Sequence, residues 1–390
     1  MITLVFSDFP SWLCATIIIS LFLYYQHYVS IVGISTEKLR CLSHPNYFYI
    51  NWFRNLDMKQ QMEAKTRAHS NIALIKYWGK RDRKLNLPAV GSVSLTLDAL
   101  YTETSVKFGP DHTRDTIILD GKEASPRVQK RTSHFLDIIR KITDTNQRAF
   151  IRSSNNFPTA AGLASSASGF AALTHASLTA LGATVTPREM SGIARQGSGS
   201  AARSIFGGFV EMHKGSKPDG ADSVAVQLYA ENHLDIRLLI VVISEEKKAT
   251  GSTMGMIETE QTSPFYPAWV NTADTDIQEM KSALAAKDFA RIGVLSEHSC
   301  LKMHATALAA RPGILYWNKG TISVMHAVRD IRKAGTPVYF TIDAGPQVKV
   351  LCLPEYVEQV IDELNTIPEV RRIITSAPGP GVHLIQEPEL

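Results

Sequence analysis

An α+β fold of two domains is what this sequence predicts, and three observations carry the prediction. Strand-like and helix-like patterns alternate from Glu63 onward, the 390-residue length leaves room for two cores, and the unbroken apolar run 238–243 reads as a buried strand. Residues 93–97 alternate, 104–108 and 116–119 have strand composition, and Asp120-Gly121 is a turn signal. Residues 131–142 have helical spacing. A strand at 149–153 leads into a loop and a small-residue helix over about 164–181, and Pro187 opens the next helix, through about Gln196. A boundary near residue 234 divides the remainder into 63–234 and 235–390. The second half predicts helices around 274–286, 288–309 and 319–334, a strand at 338–342, a turn at Gly345-Pro346 and a strand at 348–353. The two domains are expected to form a cleft.

Composition excludes several classes. The balance of 41 Lys+Arg against 37 Asp+Glu gives only +4, so no nucleic-acid partner is implied. At 44% hydrophobic and 20% charged, the chain is globular rather than disordered. Four cysteines without CxxC or metal-ligand spacing suggest neither a disulfide framework nor a zinc site, and point to a reducing compartment.

Residues 1–62 differ in character. They hold 12 of the 32 aromatic residues and two of the four cysteines, Cys14 and Cys41, and carry no charge between Asp8 and Glu37. That gap is long enough for a membrane-spanning helix, which Lys38 and Arg40 would orient with the following domain on the cytoplasmic side. A signal peptide fits poorly, because no Lys or Arg precedes the apolar run. The preferred expectation is a mis-assigned start, with translation beginning at Met58 or Met62.

The strongest chemical signal is PTAAGLASSAS at 158–168. Small residues between a strand and an Ala-rich helix let backbone amides approach a phosphate chain, at which the helix N-terminus is aimed. Pro158, Gly162, Ser165, Ser166 and Ser168 are the candidate nucleotide contacts, and the hydroxyls suit a nucleotide or a bound magnesium ion. No Walker A pattern occurs. The alternative is a helix that uses Ala and Ser only to pack closely.

That loop resembles the phosphate loop of the GHMP kinase superfamily. NIALIKYWGKRDRKLNLP at 71–88, NNFPTAAGLASSASGFAAL at 155–173, GSGSAARSIFGGF at 197–209 and FTIDAGP at 340–346 resemble, in order and spacing, the diphosphomevalonate decarboxylase family. The resemblance covers 63–390 and leaves residues 1–62 outside it. It implies a two-domain GHMP-kinase-like fold with the active site between the domains, ATP as co-substrate, Mg2+, mevalonate 5-diphosphate as the small-molecule substrate, and a cytoplasmic homodimer. Membrane association is expected only if residues 1–62 are a real anchor.

Site residues follow by the same resemblance. Asp343, at a strand end before Ala344-Gly345-Pro346, is the aspartate that orients or deprotonates the 3-hydroxyl; by its residues alone a turn aspartate is the preferred reading. Arg203, with Ser198 and Ser200, holds the substrate carboxylate, where the alternative is an N-cap with a surface arginine. Ala202 stands where many relatives carry cysteine, and the reaction needs no thiol. Lys76 lies near the reacting centre, while Tyr77, Lys80 and Arg131 contact the diphosphate; a solvated helix arginine is the alternative for Arg131. Ser252 and Thr253 are further substrate-side or nucleotide-side contacts, and no residue is singled out as a metal ligand. GxSxG and HExxH are absent, and His298 and His304 belong to an ordinary helix. APGPG at 377–381 reads as a turn before a last strand. Two alternatives remain open: a GHMP small-molecule kinase that stops before decarboxylation, and a non-catalytic sensor, which would need no carboxylate at Asp343.

Overall fold

The computed structural model describes residues 62–157, 165–244 and 250–385, and the backbone of three strands before them. The chain forms two compact units, Met1–Gln61 and Met62–Leu390. In the first, β1 (Thr3–Phe6), β2 (Arg40–His44) and β3 (Tyr47–Asn51) make an antiparallel sheet of order β1-β3-β2. The uncharged run 9–36 lies outside the described residues. Among the described residues, no helix is long and apolar enough to cross a membrane.

The second unit is built on two sheets. Its larger sheet runs β12 (Ala225–Tyr229), β11 (Phe209–Met212), β7 (Ser92–Gly109), β10 (Arg148–Asn155), β8 (Thr116–Leu119), β9 (Lys122–Glu123), with β4 (Glu63–Ile75) also paired to β7 and β17 (His383–Leu384) to β4. Only β10 with β8 is parallel. The two predicted strands at 93–97 and 104–108 are one strand, β7. Its first six residues are buried on both faces and its later half alternates, so a change of burial pattern at Asp98 reads in sequence as a break. The Asp120-Gly121 turn joins β8 and β9 as expected.

The smaller sheet is antiparallel, with order β14 (Val338–Thr341), β15 (Val348–Cys352), β13 (Arg237–Val242), β16 (Arg372–Ser376). One core joins the sheets: Ile72, Leu95 and Phe209 from the first meet Leu238, Ile240 and Leu351 from the second.

Eight described helices cover these sheets: α1 (Pro126–Thr143), α2 (Ser165–Ala180), α3 (Pro187–Gly197), α4 (Ser252–Thr262), α5 (Tyr266–Ala285), α6 (Phe289–Leu308), α7 (Lys319–Lys333) and α8 (Val357–Asn365). Pro187 sits at the start of α3 behind a Thr186–Glu189 capping box, which fixes that boundary. Helices α4 and α8 and strands β11, β12 and β16 were not expected from the sequence; all are short. Helix α5 begins at Tyr266, earlier than the expected 274, because a proline follows at its first turn. The small residues of α2 let it lie directly on β4, where Thr66 Oγ1 donates to the Ala172 carbonyl at 2.8 Å. Close packing is thus a property of this helix, while residues 158–164 of the loop before it lie outside the described residues. The 377–381 segment does precede the last strand, and Gly379 N–H donates to Thr96 O at 2.8 Å.

Candidate active site

The site begins where β4 ends. Gly79 adopts φ +96, a left-handed conformation that lets the chain turn sharply after Lys76-Tyr77-Trp78 into β5 (Lys80–Asp82). Trp78 is buried, and its carbonyl accepts from Trp269 Nε1 at 2.9 Å. The Lys76 backbone N–H donates to Ser299 Oγ at 3.0 Å. These contacts turn the Lys76 side chain inward, where only 1% of it is exposed.

Asp343 meets it from the other sheet. Lys76 Nζ donates to Asp343 Oδ1 at 2.6 Å and to Ala73 O at 2.8 Å. The aspartate backbone is pinned by α6: His304 Nε2 donates to Asp343 O at 2.8 Å, and Cys300 Sγ accepts from Ile342 N–H at 3.1 Å. His304, expected on an ordinary helix, is on one, but it also braces the aspartate. The Asp343 side chain keeps 27% of its surface open, so one side of the carboxylate is accessible. Burial alone pushes its pKa upward. Lys76, Lys349 and Arg203 outweigh that and hold it at about 2. At neutral pH it is therefore a carboxylate, an acceptor of low basicity.

Arg203 lies in a buried 3-10 helix, Gly199–Ile205, rather than on the surface as an N-cap reading would have it. Its Nε donates to Asn71 Oδ1 at 3.0 Å and its Nη1 to Ser92 Oγ at 2.8 Å. Asn71 is itself held, its Nδ2 donating to Ser204 Oγ at 2.7 Å. Burial lowers the arginine pKa to about 10, opposed chiefly by the Asp343 charge, so the cation persists at neutral pH. Two fixed bonds leave Nη2 for an anion, the geometry a carboxylate clamp requires.

A line of hydroxyls runs from this arginine to α2. Ser198 Oγ lies 3.3 Å from Ser200 Oγ and donates to Ser166 Oγ at 3.3 Å. Ser166 is exposed on the first turn of α2, with Ser165 beside it. Ser168 points the opposite way. It is fully buried, 2.6 Å from Thr102 Oγ1 and 3.3 Å from Ser70 Oγ, so it secures the helix to β4 and β7 and does not face the cleft. Pro158 and Gly162 lie outside the described residues. Beside Ser165 and Ser166 opens a groove of about 300 Å³, with Ile117, Val128, Ile151 and Phe170 as apolar walls and Asn155 at its rim. Its mixture of apolar surface and a few polar groups suits a planar heterocycle.

Cations gather at one wall of this groove, which Arg131 also lines. Arg131 Nη2 donates to Gly197 O at 2.7 Å and its guanidinium stacks 4.6 Å from the Phe170 centroid, so it is tethered rather than freely solvated. The Lys80 pKa is lowered, by burial first and then by the Arg131 and Arg83 charges. Three like charges converge there, as a polyanion site needs. The Tyr77 hydroxyl is buried without a partner and lies against Gly199, where a Cβ would come within 2.6 Å of it. Burial pushes its pKa up, which keeps it a neutral donor. Ser252 and Thr253 form the first turn of α4, and Thr253 is exposed. Neither hydrogen-bonds to Asp343, Arg203 or Lys76 among the described residues.

Asn71, Ser92 and Lys349 were not singled out from the sequence. Asn71 lay inside a quoted motif, in a strand with many other polar residues, so nothing set it apart. Among the described residues no group of three or more His, Cys, Asp or Glu side chains could hold a metal ion. Magnesium that arrives on nucleotide phosphates needs few protein ligands, so this donor set is compatible with it.

Two sheets that bring a carboxylate, a clamped arginine and a cation cluster to one cleft beside a helix-borne serine pair define a GHMP-type phosphoryl-transfer enzyme. Comparison with known proteins narrows the class. The diphosphomevalonate decarboxylase-like N-terminal domain matches residues 68–225, and the mevalonate 5-diphosphate decarboxylase C-terminal domain matches 238–380. The chain is 38% identical over 313 residues to the diphosphomevalonate decarboxylase of Homo sapiens, covering 75% of this chain and 78% of that protein. It is similar to a solved structure of mevalonate diphosphate decarboxylase from Staphylococcus aureus, with TM-score 0.79 and 42% identity over 83% of this chain and 98% of that one. A solved complex of MDDEF with MVAPP, AMPPCP and magnesium matches with TM-score 0.78 and 41% identity, over 83% of this chain and 99% of that one. The chain belongs to the diphosphomevalonate decarboxylase family.

Proposed function

We infer that the protein catalyses the ATP-dependent decarboxylation of mevalonate 5-diphosphate to isopentenyl diphosphate, with release of ADP, phosphate and carbon dioxide. The observation that carries this reading is the meeting of Lys76, Asp343 and Arg203 in one cleft. The 3-hydroxyl of the substrate lies against the open oxygen of Asp343, and Arg203 Nη2 holds the carboxylate, with Ser198 and Ser200 beside it. Tyr77, Lys80 and Arg131 receive the diphosphate. ATP places its phosphates at Ser165 and Ser166, with its base in the adjacent groove, and a relative's complex holds an ATP analogue and magnesium. Magnesium supplies charge neutralisation of the phosphates, with these two serine hydroxyls as candidate protein oxygens.

Asp343 is a weak base before reaction, so its first task is orientation. In a loose phosphoryl-transfer transition state, the hydroxyl loses its proton late, as the new P–O bond forms, and Asp343 is placed to accept it. Lys76 stabilises the charge that develops there. Phosphorylation turns the tertiary hydroxyl into a leaving group. The C3–O bond then breaks, the electrons of the C1–C2 bond form the C2=C3 double bond, and phosphate and carbon dioxide leave. Arg203 keeps the carboxylate anionic and oriented until that step.

We also read 63–234 and 235–390 as two domains around the cleft, in keeping with the separate family matches. A cytoplasmic homodimer is the assembly proposed, from the family resemblance and the cysteine usage. The test is incubation with ATP, magnesium and mevalonate 5-diphosphate while ADP and carbon dioxide are both measured. Equal amounts are expected; ADP without carbon dioxide would mean a kinase instead.

A further inference from the structure

Lys349 is a costly residue in its place. It lies in β15, flanked in the sheet by β14 and β13, and is 0% exposed. Its sequence neighbours Val348 and Val350 are core residues. A buried ammonium in a central strand is destabilising unless nearby anions or dipoles compensate it.

Its position points to one such anion. Lys349 is the register partner of Thr341, the last residue of β14 and two positions before Asp343. The side chain runs back along its own strand toward the turn that begins at Asp343, so that Nζ donates to Gln347 O at 3.3 Å. Lys349 is the second cation felt by the Asp343 carboxylate, after Lys76 and ahead of Arg203. The three differ in what else they do. Lys76 is hydrogen-bonded to the carboxylate, and Arg203 is fixed to Asn71 and Ser92. Lys349 is wholly buried within the sheet, with Nζ at the Gln347 carbonyl.

We propose that Lys349 is a positioning residue, a buried countercharge behind Asp343 that keeps this carboxylate ionised and aimed while Lys76 and Arg203 are drawn to polyanionic substrates. The inference rests on the reading of Asp343 as the group at the reacting hydroxyl. Binding ATP and a diphosphate beside Asp343 adds negative charge, which favours protonation of the carboxylate. A cation that no substrate can recruit opposes that. The other charged or titratable groups around the carboxylate are Lys76 from β4, Arg203 from the 3-10 helix, and Cys300 and His304 from α6.

The test compares Lys349→Met, which keeps the stem and removes the charge, with Lys349→Arg, which keeps the charge, in the full chain. For Lys349→Met, the acid limb of the kcat profile should rise by about one unit, so that kcat falls up to about tenfold on that limb and holds near neutral pH, since one unit of lost anion stabilisation is tenfold in equilibrium. The KM values for ATP and mevalonate 5-diphosphate should hold within about twofold, as expected of a residue that touches neither. The thermal midpoint should fall slightly, because Asp343 loses a countercharge and the Gln347 carbonyl loses a donor. Lys349→Arg should keep the wild-type acid limb. A folded Lys349→Met protein with wild-type kcat and pH profile overturns the proposal. If the methionine protein does not fold, Lys349→Gln takes its place under the same criteria. Failure of every neutral variant to fold, beside an unaltered arginine protein, assigns Lys349 to folding and also overturns it. Asp343→Asn run in parallel separates the two claims: if it keeps full turnover, the reading of Asp343 has failed, whereas an inactive Asp343→Asn beside an unaffected Lys349→Met refutes only the role of Lys349.

Discussion

Lys76 and Asp343, 267 positions apart in the chain, are joined by a 2.6 Å hydrogen bond between an ammonium that is almost wholly buried and a carboxylate that is not. The pair ties the end of β4 to the end of β14, so the reacting centre and the junction of the two sheets are one structure. Loss of the lysine therefore has two consequences. Lys76→Met should leave Asp343 with only Lys349 and Arg203 nearby, at a cost of about 3 kcal/mol, the low end for breaking a buried pair. Turnover should fall by roughly 10²–10³, the scale of a lost electrostatic donor. Denaturant melts and kcat measured on the same preparation check both.

Arg203→Gln keeps a donor but removes the cation and its fork. Loss of a charge-assisted bond to the substrate carboxylate is worth about 2–3 kcal/mol, or roughly 30–150-fold in kcat/KM for mevalonate 5-diphosphate. ATP affinity should change little, because the serine pair and groove lie beyond Ser198. A variant whose main defect is a raised KM for ATP would move Arg203 out of the carboxylate site.

His304 makes stability depend on pH. Burial, and secondarily the Lys76 charge, lower its pKa to about 3, against an ordinary value of 6.5. Between those values the unfolded chain binds a proton that the folded chain does not. Its contribution is complete above about pH 6.5 and is lost progressively as pH falls toward 3, with a slope of up to about 1.4 kcal/mol per pH unit. The Asp343 carboxylate acts in the same direction in a lower window, as pH falls from its unfolded value of about 3.9 toward 2. His304→Gln, which still donates to Asp343 O, should flatten the dependence of unfolding free energy on pH between about 4 and 6. An unchanged slope would mean that His304 is already charged in the folded protein.

Met1–Gln61 and Met62–Leu390 are separate compact units, and every residue assigned to the site lies in the second. A chain shortened to Met62–Leu390 should keep full decarboxylase activity and its thermal midpoint. An insoluble or inactive product would place part of the leading unit in the working enzyme.

How far the site was legible before the structure depended on backbone context. Asp343 was singled out because FTIDAGP resembles the family's strand end, and Ser165 and Ser166 because small residues ahead of a helix suit a phosphate loop. Ser168 shows the limit. It shares that motif, yet helical spacing turns its hydroxyl toward Thr102 and Ser70. Asn71, Ser92 and Lys349 were illegible for a related reason: each is a polar residue in a strand, and only the register of neighbouring strands decides whether it faces a core, solvent or a cleft. The fold followed the same rule. Helices α6 and α7 were found almost to the residue, α5 was found without its first two turns, and β7 was split because its two ends are buried differently.

The most direct measurement is single-turnover kinetics of Asp343→Asn with ATP, magnesium and mevalonate 5-diphosphate, with ADP and carbon dioxide followed together and activity scaled to folded protein. The substitution keeps the size and some hydrogen bonding of the side chain but removes the charge. Both products should fall in step by roughly 10²–10⁴, the scale of a positioned acid–base group, while ATP binding persists. Near-normal turnover by a well-folded Asp343→Asn protein, or loss of carbon dioxide alone with ADP release intact, would contradict a carboxylate that acts on the 3-hydroxyl before decarboxylation.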